Sequence, residues 1–275
     1  MRIAITGSEG QLGSALRRVL NHEKLLAIDL PEHDITHLEA IVRAIAEFRP
    51  EVVIHAAAMT DVDGCERAPD MAYRVNLLGT RNVAVAAQQS DASLVYISTD
   101  YVFSGDKGAP YWEYDRPDPL SVYGRTKWAG EQVTRNLLSR YYVVRTAWLY
   151  GRGHRNFVET VLKLADERDS VPMVTDEVGS PTYALDLARA LSLLIQRPAY
   201  GTYHLANAGT CSRHEWAKEI LRIAGRTDLE LIPSENYRRA ARVPKRVALH
   251  NLCGAELGIA MRPWQEALQD YFHAQ

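Results

Sequence analysis

The chain opens with Met1-Arg-Ile-Ala-Ile-Thr-Gly7-Ser-Glu-Gly10-Gln-Leu-Gly13, in which a short apolar run leads into three evenly spaced glycines. The run is typical of a buried strand, and residues 10–21 continue with the apolar spacing of a helix. In such a unit the glycines can make a tight turn, let the backbone approach a phosphate and let helix and strand pack closely. The segment therefore predicts a dinucleotide-binding turn. The plainer alternative is a tight turn without a ligand.

The alternation of strand and helix continues along the chain. Thr36 and Glu39 have the spacing of a capping box and predict that a helix begins there. Strands are predicted at residues 2–6, 25–28, 51–55, 94–98, 142–146 and 201–206. The principal helices are predicted at 10–21, 36–48, 70–89, 123–139, 183–196, 212–224 and 263–272. This order predicts an α/β protein with a Rossmann-type, doubly wound parallel sheet.

The second half of the sequence is less regular than the first. A loop with three prolines covers residues 106–122, and the stretch 233–250 is basic and irregular. We expect a smaller C-terminal substrate-binding lobe beside the dinucleotide-binding domain. The predicted division assigns residues 1–149 and about 183–206 to the dinucleotide-binding domain, and about 150–182 and 207–275 to the lobe.

Composition argues against several functional classes. The 32 basic and 34 acidic residues are interspersed and give a net charge of −2, which does not indicate a nucleic-acid partner. Cys65, Cys211 and Cys253 are too scattered to suggest a disulfide framework or a zinc site, so a reducing, cytoplasmic location is expected. No signal peptide is expected from the first residues, and no apolar run approaches the ~20 residues of a membrane helix. No metal is assigned.

Asp29 follows the second predicted strand, 22 residues after Gly7. An acidic side chain there can accept hydrogen bonds from the adenosine ribose and repel a 2′-phosphate. An equally weighted alternative is a cap in the Asp29-Leu-Pro-Glu turn. Asp34 and Ile35 are candidates to flank the adenine, although Asp34 can equally cap the next helix.

Tyr123 and Lys127 lie four residues apart in Tyr123-Gly-Arg-Thr-Lys127, so on a helix they share one face. A neighbouring ammonium lowers the pKa of a phenol from its reference value of about 10, which would let Tyr123 act as a general acid toward a carbonyl. Thr99 ends the fourth predicted strand, where its hydroxyl can hold a carbonyl oxygen. Together they predict a carbonyl reductase. The alternative is a surface helix that carries this pair by chance.

Motifs along the whole chain strongly resemble those of the dTDP-4-dehydrorhamnose reductases, which are extended short-chain dehydrogenases/reductases. The resembling motifs are Gly10-Gln-Leu-Gly13, Ser98-Thr-Asp-Tyr-Val-Phe103, Tyr123-Gly-Arg-Thr-Lys-Trp-Ala-Gly-Glu131, Arg145-Thr-Ala-Trp-Leu-Tyr-Gly151 and Gly201-Thr-Tyr-His-Leu-Ala-Asn207. The resemblance implies reduction of the C4 keto group of dTDP-4-dehydro-β-L-rhamnose by NADPH or NADH. A homodimer is the oligomeric state that we expect from this resemblance.

The resemblance also implies a set of site residues. The implied catalytic residues are Thr99, Tyr123 and Lys127. The implied cofactor-binding residues are Gly7, Gly10, Gln11, Leu12, Gly13, Asp29, Asp34, Ile35, Ala56, Ala57, Ala58, Asn76, Tyr123 and Lys127. The implied substrate residues are Val62, Thr99, Tyr101, Tyr123 and Trp148. The aromatic residues Tyr101 and Trp148 can equally belong to the core. Asn76 can equally be a polar residue satisfied within a helix interface. The basic residues of 238–246 are further candidates for the substrate diphosphate: Arg238, Arg239, Arg242, Lys245 and Arg246. The alternative is a solvated loop, which for any one of these residues is the favoured interpretation.

Other functions remain open at this point. A sugar-nucleotide epimerase or dehydratase shares the glycine turn and the Tyr–Lys spacing. Epimerases and dehydratases usually have a longer C-terminal lobe, and dehydratases typically carry an Asp-Glu pair after the catalytic Thr. Here Asp100-Tyr101 follows Thr99. A non-catalytic regulatory subunit of the same fold is the alternative from another class, and the presence of both Tyr123 and Lys127 argues against it. Reductases of other nucleotide-linked 4-keto-deoxysugars also remain possible.

Overall fold

A six-stranded parallel sheet forms the centre of the computed structural model, which describes residues 1–226, 228–235 and 237–273. The strands are β1 (Arg2–Thr6), β2 (Lys24–Ile28), β3 (Val52–His55), β4 (Ser93–Thr99), β5 (Tyr141–Thr146), β6 (Leu149–Tyr150), β7 (Ser170–Val174), β8 (Val178–Gly179), β9 (Thr182–Tyr183), β10 (Gly201–His204), β11 (Cys211–Ser212) and β12 (Glu230–Ser234). The central sheet has the order β10-β5-β4-β3-β1-β2. The strand order reverses at β1, which is where open α/β sheets bind ligands.

Helices cover both faces of this sheet. They are α1 (Gln11–Val19), α2 (Leu38–Phe48), α3 (Val62–Arg67), α4 (Pro69–Tyr73), α5 (Thr80–Gln89), α6 (Val122–Leu137), α7 (Phe157–Glu167), α8 (Ala184–Leu194), α9 (Arg213–Ile223), α10 (Leu252–Glu256) and α11 (Trp264–His273). Because successive strand residues point to opposite faces, Ile3 and Ile5 pack with α1 and α8, whereas Ala4 packs with α2 and α5. The predicted doubly wound parallel fold is confirmed.

A second buried cluster lies outside the central sheet. It is rich in aromatic residues, and within it the ring of Tyr150 packs against those of Trp216 and Tyr271. Two-stranded pairs accompany it: β6 with β9, β7 with β12 and β8 with β11. This cluster is the core of the smaller C-terminal part of the fold. The domain boundaries given from the sequence stay a prediction.

Two local expectations are corrected. The capping box at Thr36 and Glu39 is wrong, because α2 begins at Leu38 with His37 as its N-cap. The backbone N–H of Thr36 instead bonds the Asp34 carboxylate, an alternative that short acidic side chains offer near helix starts. Helix α7 was not predicted from the sequence. Its residues Val158, Val161 and Ala165 share a buried face, and Asn156 caps its start.

The long helix predicted at residues 70–89 contains a π-helical turn at Arg74–Gly79. The hydroxyl of Thr80 donates to the carbonyl oxygen of Asn76 at 2.7 Å within this turn. Single π-helical turns occur frequently at functional sites. Here the turn carries Asn76 to the interface with α6, where its side chain is buried.

Candidate active site

A cleft of about 970 Å³ brings together most of the residues that the sequence identifies. It includes residues that follow β1 and β3 and the last residues of β4, at the strand ends where ligands bind in such sheets. All the predicted cofactor residues except Asn76 line this cleft, as do Thr99 and Trp148 of the predicted substrate set. Val62 and Tyr101 of that set are outside its lining.

The glycine turn between β1 and α1 leaves almost no room for side chains. Gly7 has φ +69°, which favours glycine. A Cβ atom on Gly13 would lie 2.1 Å from the carbonyl oxygen of Gly7. Gly10 caps α1 without a side-chain hydrogen bond, so the first N–H groups of the helix are open to an anion. The turn therefore fits the pyrophosphate of a dinucleotide cofactor.

Asp29 both closes the glycine turn and lines the cleft. Its Oδ2 accepts the Glu9 N–H at 2.8 Å, and its Oδ1 accepts the Leu30 N–H at 2.9 Å. The turn-cap alternative is therefore present in the structure. Because each carboxylate oxygen can accept a second hydrogen bond, the same side chain can still receive ribose hydroxyls.

The part of the cleft around Asp34 contains a basic residue, Arg74, that was not predicted from the sequence. The backbone N–H of Thr36 donates to Asp34 Oδ1 at 2.8 Å, and this bond is the main reason why the pKa of Asp34 is lowered. Arg74 lines the same cleft and lowers that pKa further. Ile35 is buried beside Gly79, where a Cβ would lie 2.7 Å from the Ile35 Cδ1. Arg74 is separated from Asp34 by 40 residues, so sequence spacing offered no signal for it.

Asn76 supports the cleft from outside. Its Oδ1 accepts the Met59 N–H at 2.8 Å, and its Nδ2 donates to the Met59 carbonyl at 3.1 Å and to Thr126 Oγ1 at 3.0 Å. The side chain is 1% exposed. Asn76 therefore does not line the cleft, and it joins the segment that follows Ala56–Ala58 to the helix that carries Lys127. This is the interface alternative considered from the sequence.

Helix α6 carries Tyr123 and Lys127 and packs closely on the segment after β4. Ser121 caps the helix by accepting the Gly124 N–H at 3.1 Å. A Cβ on Gly124 would lie 2.2 Å from the carbonyl oxygen of Tyr101, so only glycine allows this approach. The rings of Tyr101 and Tyr123 consequently meet edge to face, with centroids 5.6 Å apart. Tyr101 thus contacts a predicted catalytic side chain without lining the main cleft.

Burial changes the acidity of both predicted catalytic groups on α6. Lys127 is 3% exposed, and its burial lowers the pKa of the ammonium to about 7. Its Nζ lies 4.3 Å from the centroid of the Tyr96 ring. Burial raises the pKa of Tyr123 well above its ordinary value. In the chain without ligands the pKa of the phenol is therefore shifted upward, opposite to the direction expected from the sequence, because the side chain is removed from water.

Thr99 lies beside a buried carboxyl group. Its Oγ1 donates to Asp100 Oδ1 at 3.1 Å and accepts the Tyr101 N–H at 3.2 Å. Asp100 is 3% exposed, and burial raises its pKa to about 7. Such a group can hold or release a proton near neutral pH, which is common at functional sites.

Trp148 is held in an uncommon backbone conformation, with φ +45°. The Arg213 guanidinium lies 3.5 Å from the centroid of its ring, and a Cβ on Gly179 would lie 2.5 Å from the ring. Glu177 connects Arg213 to Arg239, with N–O distances of 3.5 Å and 3.9 Å respectively. Arg213 and Glu177 were not predicted from the sequence, because only the tertiary fold brings them to Trp148.

Arg239 is the member of the basic segment 238–246 that the structure brings to this cluster. Its Nε donates to Asp63 Oδ1 at 3.2 Å, and the same oxygen accepts the Ala241 N–H at 2.9 Å. Val62 precedes Asp63 at the start of α3, so two regions indicated separately by the sequence meet here. The remaining basic residues of the segment are exposed: Arg238, Arg242, Lys245 and Arg246.

Within residues 1–226, 228–235 and 237–273, no three His, Cys, Asp or Glu side chains are grouped to hold a metal ion. In the same part of the chain, no helix has the length and apolar character needed to cross a membrane. The cysteines are free thiols.

Comparison with known proteins identifies the family. The sequence of residues 1–275 matches the family described as RmlD substrate binding domain. The chain is 39% identical over 277 residues to dTDP-4-dehydrorhamnose reductase of Mycolicibacterium smegmatis, covering 98% of this chain and 84% of that protein. It is 37% identical over 273 residues to spore coat polysaccharide biosynthesis protein SpsK of Bacillus subtilis, covering 98% and 96%.

The fold comparison agrees with the sequence matches. A crystal structure of dTDP-4-dehydrorhamnose reductase from Bacillus anthracis in complex with NADP gives a TM-score of 0.97 at 40% identity, covering 100% of this chain and 99% of that one. The resemblance of the motifs is therefore confirmed over the full length. The chain belongs to the RmlD substrate binding domain family.

Proposed function

We propose that this chain is an NAD(P)H-dependent reductase that converts dTDP-4-dehydro-β-L-rhamnose to dTDP-L-rhamnose. The observation that carries the proposal is the single cleft that joins the glycine turn of α1 to Thr99, Tyr123 and Lys127. A dinucleotide site and a set of groups suited to reduce a carbonyl thus occupy one space. The family membership and the names of the relatives support the same reaction.

The proposed chemistry assigns each side chain a task at one oxygen atom of the substrate. When bound, the nicotinamide supplies the hydride that reduces the substrate carbonyl. Thr99 Oγ1 holds the carbonyl oxygen and stabilises the negative charge that develops on it. Tyr123 then donates its phenolic proton to that oxygen. Because burial raises its pKa, Tyr123 remains protonated and ready to donate over the physiological pH range.

Lys127 and the glycine turn are proposed to bind the cofactor. The Lys127 ammonium faces the cleft and holds the ribose next to the nicotinamide, while the turn after β1 holds the pyrophosphate. The ammonium also supports the phenol during proton transfer, once bound ligands change the surroundings of both groups. The rigid backbone of Ala56–Ala58 lets the cofactor approach closely because these side chains are small.

The substrate diphosphate is proposed to bind beside Trp148. Arg213 and Arg239 approach this region from separate parts of the chain and share Glu177. Guanidinium groups form forked, charge-assisted hydrogen bonds with phosphate oxygens. Both arginines are largely buried, with exposed side-chain fractions of 18% and 19%, so they are pre-oriented. Val62 and Tyr101 border the same side and are proposed to contact the sugar.

A turnover panel tests the proposal. The purified chain is incubated with NADPH or NADH and with dTDP-, UDP- and GDP-linked 4-ketosugars, and cofactor oxidation is followed at 340 nm. We expect stoichiometric cofactor consumption with the dTDP-linked substrate and formation of dTDP-L-rhamnose. An epimerase would convert the sugar without net consumption, and a regulatory subunit would do neither. Turnover confined to another 4-ketosugar would replace the proposed substrate.

A further inference from the structure

Glu131 is a fully buried carboxylate one helical turn beyond Lys127 on α6. Its Oε1 accepts hydrogen bonds from Ser98 Oγ at 2.7 Å and Arg145 Nε at 2.9 Å. Its Oε2 accepts from a second Arg145 nitrogen at 2.8 Å and from Arg135 at 3.1 Å. The mechanism above uses neither Glu131 nor Arg145, although both belong to the motifs quoted from the sequence.

Burying the Glu131–Arg145 ion pair removes both charges from water, which costs free energy of folding. Arg145 is 1% exposed and Glu131 is 0% exposed. Removing two charges from water frequently costs more than their attraction returns, so such a pair is weak support for a role in stability. Ser98, which bonds Glu131, lines the cleft immediately before Thr99. The pair therefore lies directly behind the proposed catalytic groups.

Most titratable side chains close to Lys127 are uncharged at physiological pH. Burial lowers the pKa of His55 to about 3 and raises the pKa values of Tyr96 and Tyr123, so these three groups are neutral at physiological pH. Among the described residues, the titratable groups that act on or contact Lys127 are Glu131 of α6, Tyr96 of β4 and His55 of β3. The charge next to the buried ammonium therefore comes from Glu131, which itself pairs with Arg135 and Arg145.

We propose that Glu131 is a positioning residue that keeps the buried Lys127 in its charged form, and that Arg145 limits this effect by neutralising Glu131. Residues four apart on a helix are neighbours, so the carboxylate favours the ammonium despite its burial. Arg145 opposes this, since it pairs with the same carboxylate and offsets its negative charge. The inference rests on the proposed role of Lys127 in holding the cofactor ribose.

The charge of Lys127 can be measured directly in the protein without added cofactor. The chain has six lysines, so ¹³Cε-lysine NMR resolves each titration, and Lys127→Arg assigns the signal of interest. We expect Glu131→Gln to lower the Lys127 midpoint by about 1 pH unit or more. Arg145→Met should raise that midpoint, since it leaves Glu131 with Arg135 and Ser98 as partners.

Two further variants keep the test decisive if a single variant fails to fold. Glu131→Asp retains the charge, and we expect a midpoint close to that of the unmodified chain. The double variant Glu131→Gln/Arg145→Met removes both members of the buried pair, and its midpoint should fall between those of the single variants. Glu113→Gln is the control, because this buried carboxylate bonds backbone N–H groups of His204, Leu252 and Cys253.

A purely structural role predicts a different pattern. Shifts of opposite sign in Glu131→Gln and Arg145→Met, without a shift in Glu113→Gln, support the proposal. Shifts in the same direction, or unchanged midpoints in folded variants, overturn it. NADPH affinity measured against pH by fluorescence should follow the same midpoints. Because the lysine titration needs no sugar substrate, its failure is distinct from a failure of the proposed reductase activity.

Discussion

Two side chains of the proposed catalytic set, and one carboxyl group beside it, owe their protonation states to burial. Tyr123 is kept protonated, the pKa of Lys127 falls to about 7 and that of Asp100 rises to about 7. Thr99 precedes all three in the sequence and bonds Asp100 directly. The site therefore contains two groups that titrate near neutrality and one phenol that does not.

Tyr123→Phe tests the proposed proton donor. The variant removes one oxygen atom and should lower kcat by about 10²–10⁴-fold, the usual contribution of general acid catalysis. Cofactor affinity, measured by titration calorimetry, should be unchanged. Tyr101→Phe is the matched control, since its ring contacts Tyr123 and we expect a smaller loss. Retention of kcat in Tyr123→Phe would make Asp100 or a water molecule the acid.

Thr99→Val tests how the carbonyl oxygen is held. The change is close to isosteric and removes the hydroxyl that now bonds Asp100 and Tyr101. We expect a smaller loss of kcat than in Tyr123→Phe, because backbone groups can still support the oxyanion. Steady-state kinetics with both variants gives the comparison. A larger loss in Thr99→Val would identify the hydroxyl as the dominant contribution.

At the scale of elements, glycines allow three close approaches that define the cleft. Gly13 lets α1 pack on the turn after β1, Gly7 lets that turn pack on Ala57, and Gly124 lets α6 pack on Tyr101. Gly10 differs, since a Cβ there would lie 3.3 Å from the Gly7 carbonyl oxygen. Bulk at Gly10 is therefore tolerated by the protein far better than bulk at Gly13.

Substitutions at Gly13 and Gly10 can therefore distinguish an effect on folding from an effect on cofactor binding. Gly13→Ala forces a Cβ into the backbone and should destabilise the protein by about 1–3 kcal/mol or more. Gly10→Val should leave the free energy of unfolding closer to that of the unmodified chain but weaken NAD(P)H binding, because it adds bulk where the phosphate approaches. Urea unfolding and calorimetry measure the two effects. Unchanged cofactor affinity in Gly10→Val would contradict the pyrophosphate assignment.

At the scale of the whole molecule, the substrate side is assembled from distant segments. Arg239 meets Asp63 across 176 residues and reaches Glu177 beside Arg213. We expect Arg239→Ala to raise KM for the sugar nucleotide with little change in cofactor affinity. The exposed Arg242→Ala is the control and should leave KM unchanged. Equal KM values in both variants would mean that Arg239 only anchors its loop.

Buried histidines make the stability of the molecule depend on pH. Burial lowers the pKa of His55 to about 3 from 6.5, so between these values the unfolded chain binds the additional proton. Stability due to His55 is therefore complete above pH 6.5 and is lost as the pH falls. Relative to His55→Asn, the protein should lose up to about 1.4 kcal/mol per pH unit in this window. Urea unfolding at several pH values measures it, and a constant difference would refute the neutral state of His55.

The local features of this protein could be predicted from its sequence because they depend on neighbouring residues. The apolar run before Gly7 determines a strand, the glycine spacing determines the turn, and a separation of four residues places Tyr123 and Lys127 on one helix face. Strand–helix alternation then limits the topology to a parallel sheet. None of these predictions requires knowledge of a contact between distant segments of the chain.

Tertiary structure alone decided the remainder, because burial and long-range pairing have no signature in local spacing. It reversed the expected pKa of Tyr123, moved Asn76 out of the cleft and joined Glu131 to Arg145. It also brought Arg213 to Trp148, two residues separated by 65 positions. The desolvation of a group and the charge of its neighbours depend on where the packed chain places them, and the pattern of residues along the chain does not encode that placement directly.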